Sequence, residues 1–83
     1  MATSRGRLQA MSTPELIIQA QDAIQALGDK PDVEAFNALL ALSEALGEAI
    51  GESARLLAAH SSWSQVGEVS GTTKQAAWSR WSS

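Results

Sequence analysis

The chain contains no cysteine. Disulfides, thiolate zinc sites and a cysteine nucleophile are therefore all excluded. It contains one histidine, His60, too few for a histidine-based metal centre. No apolar run reaches the length of a membrane span, and the N-terminus lacks the apolar stretch of a signal peptide. A cytoplasmic location follows as the default expectation. Gly-rich phosphate loops and paired nucleophile–base motifs are also missing, so an enzyme is not expected. Neither a cofactor nor a small-molecule substrate is implied.

Eighty-three residues allow one small domain. Such a chain buries little surface, and association with a partner is a common remedy. The formal net charge is −3, unevenly spread. Residues 1–13 carry +2, residues 14–59 carry −6 and residues 60–83 carry +1. Two mildly basic ends thus flank an acidic middle. So few cations argue against strong non-specific binding to nucleic acid, whose affinity rests on phosphate contacts.

The sequence reads as all-α: a short helical bundle with a long central helix and a C-terminal pair of short helices. Residues 1–13, MATSRGRLQAMST, lack periodicity and are expected to form a flexible arm. Arg5-Gly6-Arg7 is either a minor-groove arm or a plain tail. Residues 14–83 are expected to form a single helical domain. Ser12 or Thr13 opens its first helix, with Pro14 and Glu15 in the first turn and Gly28 at the end. Leu16, Ala20, Ala23, Ile24 and Leu27 share one face.

A second, long helix is predicted from about Pro31 to Ala59. Phe36, Leu39, Leu40, Leu46, Ile50, Ala54 and Leu57 make its main face, with Ala38, Leu42, Ala49 and Leu56 beside it. This apolar surface is far wider than the ~100° that a singly packed helix needs. The helix is read both as the spine of the domain and as a homodimer interface. Gly47 and Gly51 admit a close neighbour or a break near residue 50. Glu44, Glu48 and Glu52 form a stripe without a second ligand set, so it reads as a solvated face rather than a metal site.

The most informative stretch is Ser62 to Trp81, SWSQVGEVSGTTKQAAWSRW. Ser62 can cap a helix from Trp63 to about Val69, and Gln65 stands at capping-box spacing. Gly71 suits a left-handed turn. Thr73 can cap a second helix from Lys74 to about Trp81. Val66 and Val69 are expected to face inward, as are Ala77 and Trp81. Gly67 and Ala77 are small enough for a close crossing.

This is helix-turn-helix spacing, placed at residues 62–82. The segment resembles the small DNA-binding modules of actinobacterial and actinophage regulators, in which S-W-x-x-I-G-x-x-x-G-x-S-R-Q-A-A-x-x-R-[WF] recurs. The matching positions are Ser62, Trp63, Val66, Gly67, Gly71, Thr73, Lys74, Gln75, Ala76, Ala77, Arg80 and Trp81. They span about a quarter of the chain. Ser70 and Thr72 depart from the pattern, which carries aliphatic residues there, and so imply a wetter turn.

The resemblance implies that the second helix enters the major groove of double-stranded DNA by its N-terminal end. Lys74 and Gln75 would then reach base edges. Ser62, Thr72 and Thr73 would bond phosphates, the first and last of these also serving as caps. Arg80 would hold the backbone, or pair with an acid, or stand in solvent. Trp78 has three readings: stacking on a sugar or base, an interface contact, or cover for the core. No wing is expected after the second helix, and a longer parent regulator stays open.

A small sequence-selective DNA-binding regulator, acting as a homodimer, is the first expectation. The alternative is a helical protein–protein interaction module that keeps the helix-turn-helix only as a packing motif.

Overall fold

The structure, a computed structural model, describes residues 3–83, and every regular element among them is helical. The helices are α1 (Thr3–Ala10), α2 (Thr13–Gly28), α3 (Val33–His60), α4 (Trp63–Ser70) and α5 (Lys74–Trp81). The all-α expectation therefore holds. Helix α1 is a departure, because the segment was read as irregular. Its sequence has no apolar face to bury, so periodicity gave no sign of it. The Arg5 side chain, half of the Arg-Gly-Arg reading, lies outside the described residues.

Local chemistry accounts for the helix starts. Ser12 and Glu15 form the reciprocal capping box at α2. The Glu15 amide donates to Ser12 Oγ (3.4 Å), and the Ser12 amide donates to Glu15 Oε1 (2.9 Å). The Ser12 hydroxyl donates to the same carboxylate oxygen (2.7 Å). These bonds hold the Glu15 carboxyl below its ordinary pKa, the backbone amide contributing most. A depressed folded-state value means the carboxylate stabilises α2 above its ordinary pKa. That contribution is lost as pH falls through the depressed value. Acid titration followed by circular dichroism should therefore show a loss of helicity that Glu15→Gln flattens. An unchanged acid limb in the variant would remove this cap from the account.

Asp32 starts α3, its carboxylate accepting from the Ala35 amide at 2.7 Å. Helix α3 then runs unbroken through Gly47 and Gly51 to His60, which answers the question of a break near residue 50. The two glycines differ in surroundings. A Cβ at Gly47 would meet nothing within 4 Å, whereas one at Gly51 would lie 3.8 Å from Trp81 Cδ1 and 3.3 Å from Arg55 Nη1. Only Gly51 is a place of close approach.

The chain divides into two compact units, one ending at Ala41 and the other comprising Leu42–Ser83. The single domain expected over residues 14–83 spans parts of both units. The described buried apolar residues are few: Ala35 in the first unit, and Ala54, Val66 and Ala77 in the second. Helix α2 buries none of its residues. Leu16 and Leu27 of its expected core face are half-buried, and Ile24 is exposed. On α3, Ala54 is buried as expected, but Phe36, Leu40, Leu46, Ile50 and Leu57 are exposed. The physical reason lies in how little covers the helix. In the second unit only the sector around Gly51, Ala54 and Ala58 is occupied. No described helix is long and apolar enough to cross a membrane.

A candidate nucleic-acid interface on α4 and α5

The second unit is organised by the turn between α4 and α5. Ser62 caps α4, its hydroxyl accepting from the Gln65 amide at 3.0 Å. The Gly71 residue closes the helix in the left-handed region, at φ 77° and ψ 27°. A side chain there would carry a steric penalty that glycine avoids. The Gly71 amide donates to Glu68 O (3.3 Å) and the Thr72 amide to Gly67 O (2.7 Å), so two of the last four carbonyls of α4 are satisfied. Thr73 caps α5, its Oγ1 accepting from the Ala76 amide at 3.1 Å.

Gly67 sets how closely the two helices meet. A Cβ at this position would sit 2.8 Å from the carbonyl carbon and oxygen of Thr73, and 2.9 Å from the Lys74 nitrogen. The obstruction is backbone, which cannot rotate aside. On the other side of the contact Ala77 is fully buried, packed with Val66 and Ala54. Trp63, Trp81 and Ala58 are half-buried around this cluster. The small-residue expectation at Gly67 and Ala77 is met. Val69 is not: it is 68% exposed, against the inward position expected for it. Helical spacing explains the difference, because Val66 already fills the inward position and Val69 falls one turn on, beyond the reach of α5.

Ser70 departs from the aliphatic residue of the pattern, and its hydroxyl donates back to Val66 O at 2.7 Å. A polar side chain is thereby accommodated without an unsatisfied group. Arg55 was not singled out in the sequence beyond its charge, yet it ties α3 to α5. Its Nη1 donates to the carbonyl oxygens of Trp81 (3.0 Å) and Ser83 (3.1 Å). A guanidinium at a helix C-terminus satisfies orphan carbonyls and complements the dipole. Arg55→Ala should cost about 1 kcal/mol, the scale of one exposed hydrogen-bonded group. Hydrogen exchange at the end of α5 should accelerate while α4 stays protected; equal protection in both proteins would discount the anchor. No spacing rule signalled this contact, because Arg55 and its partners lie 26 and 28 residues apart.

All seven residues singled out for DNA contact, Ser62, Thr72, Thr73, Lys74, Gln75, Trp78 and Arg80, are exposed. With Ala77 and Trp81 turned inward, helical periodicity puts Gln75, Ala76 and Ser79 on the outward line of α5. Lys74 stands in its first turn. Trp78 is 52% exposed on one flank. Arg80 lies on the other, its guanidinium carbon 5.1 Å from the Trp81 ring centroid. That distance is within cation–π range, and the residue is exposed. Ala76 and Ser79, outside the seven, are exposed on the same line. The three- and four-residue spacings from Gln75 and Ala76 were the available signal. Among the described residues no group of three or more histidines or acids stands together as a metal site. No family model matches the chain, and no curated protein or solved structure is similar to it.

Proposed function

We propose that the chain is a small sequence-selective binder of double-stranded DNA, a transcription regulator in which α4, Gly71 and α5 form a helix-turn-helix. Helix α5 lies in the major groove, N-terminal end foremost. Gln75 reads adenine through its N6/N7 edge, and Lys74 meets guanine acceptors or a phosphate. Thr72 and Thr73, at the positive end of α5, meet the backbone. Arg80 supplies a further phosphate contact from the flank. Ala76 and Ser79 lie close to the base edges, where a methyl group favours thymine contact.

One observation carries this reading. The leading edge and outward line of α5 are exposed, while on the opposite line Ala77 is buried and Trp81 half-buried. A helix kept only for packing has no need of a polar, uncovered leading edge.

The low cation count shapes the expected energetics. Lys74 and Arg80 neutralise about two phosphates per chain, which gives a slope of roughly −2 in log affinity against log salt for one chain and about twice that for two chains on paired half-sites. Selection from random duplex DNA at two salt concentrations is the test. A recovered consensus with that shallow slope supports the assignment. Recovery of no consensus, or binding indifferent to sequence, defeats it.

The second reading, an interaction module, draws support from the exposed apolar residues of α3. The two readings differ in what α5 does, and the same selection separates them.

A further inference from the structure

We propose that a second copy of this chain covers the apolar face of α3 between Leu42 and Leu57, with the two helices antiparallel. The inference stands apart from the DNA reading, because it concerns another surface of the second unit. Leu42, Leu46, Ile50, Leu56 and Leu57 are between 37% and 59% exposed. Helical spacing places all five on one face about 120° wide, with Ala49 and Ser53 between them. At its edge, Ile50 and Leu57 join Val69 of α4 around an open groove of about 310 Å³.

Three considerations select a copy of the same chain. The first is area. Covering these five side chains and Val69 on both copies removes roughly 1,200 Å² of mostly apolar surface, the lower end of a standard interface. The buried core of the unit is one valine and two alanines, which is too little to hold a small domain unaided.

The second is charge. Glu44 and Glu48 fall on the far side of α3, and Glu52 borders the face only at its Leu56 edge. Between Leu42 and Leu57 the single cation is Arg55, already bonded to the Trp81 and Ser83 carbonyls. A face meant for an acidic membrane would carry lysines or arginines along its border.

The third is shape. Turning one copy about an axis between Ala49 and Ile50 sets Leu46 against Ser53 and Ile50 against Ala49, large against small. Leu42 then meets Leu57 at either end. A parallel arrangement would oppose each residue to itself and leave Ser53 facing Ser53. Interdigitation favours the first. The antiparallel pair also relates two α5 helices by a two-fold axis, the symmetry that an inverted-repeat DNA site requires.

Sedimentation equilibrium of the full chain, without DNA, tests the proposal. The wild type should reach twice the chain mass at tens of micromolar. Leu46→Glu should weaken the dimer about 30-fold or more, the scale of a central hot spot. Ser53→Glu should do the same while removing no apolar packing from the monomer, which separates disruption of the interface from misfolding. Glu48→Ala, on the far side, should leave the dimer intact. For orientation, the cysteine-free chain allows introduced thiols. L42C mixed with L57C should cross-link, and L42C alone should not. A wild type that stays monomeric, or glutamate variants that stay dimeric, overturns the interface. Cross-linking by L42C alone overturns the antiparallel arrangement. Because no DNA is present, these outcomes are independent of whether α5 reads a sequence.

Discussion

Gly67→Ala is expected to destabilise the second unit by about 2 kcal/mol, within the range of overpacking in a tight contact. The new methyl carbon would stand 2.8 Å from the Thr73 carbonyl. Replacing glycine by alanine inside a helix ordinarily gains up to ~1 kcal/mol. The strain must therefore exceed that gain before any loss is seen. It should, because the obstruction is the backbone at the start of α5 and not the far end of a flexible side chain. Helix α5 must move off α4, and Ala77 and Val66 lose their contact with it. For a chain of this size the midpoint of thermal unfolding should fall by roughly 10 °C. All three tryptophans lie in α4 and α5, so their emission reports on this unit selectively. Gly47→Ala is the matched control, since nothing stands within 4 Å of that site. It should melt at or slightly above the wild-type temperature. Were Gly67→Ala to melt no lower than the wild type, the close approach of α4 and α5 would be refuted.

The double substitution of Lys74 and Gln75 by alanine should abolish sequence selectivity and leave the fold untouched. Each well-made base contact discriminates by about 1–3 kcal/mol. Losing two should lower affinity for the selected sequence by roughly 100-fold, towards the level of unrelated duplex. Both side chains are exposed and neither makes a described side-chain hydrogen bond, so melting temperature and tryptophan emission should match the wild type. Alanine is also a good helix former, and the Thr73 cap bonds Ala76 through the backbone, so α5 keeps its start. If the double variant selects the same sites with equal affinity, α5 is not the reading element. The dimer proposal would survive that result, because its residues lie on α3.

Much of the C-terminal unit was legible in the residues. Ser62, Gly71 and Thr73 act within three or four positions of themselves, through caps and a left-handed turn, so local chemistry specifies them. The bounds of α4 and α5 came out within a residue for the same reason. Helix α2 was readable as well, with its cap left between Ser12 and Thr13 until the structure showed the Ser12–Glu15 box. The exposure of Gln75 followed from Ala77 and Trp81 lying on the other face, and that of Lys74 from its place in the first turn of α5.

The misreadings share a cause. An apolar stripe announces that it will be covered and does not say by what. Leu46, Ile50 and Leu57 lie on a face read both as core and as a homodimer interface, and in the single chain they stand in the open. Val69 went astray in the same way.

The order of residues alone settled α2 to α5, the caps at Ser62 and Thr73 and the tight left-handed corner at Gly71, because each depends on neighbours a few positions away. Tertiary structure decided that Gly67 touches backbone while Gly47 touches nothing, that Arg55 closes the end of α5, and which part of α3 is occupied. Those facts depend on groups far apart in the chain meeting at van der Waals distance, and no periodicity encodes which distant partner arrives.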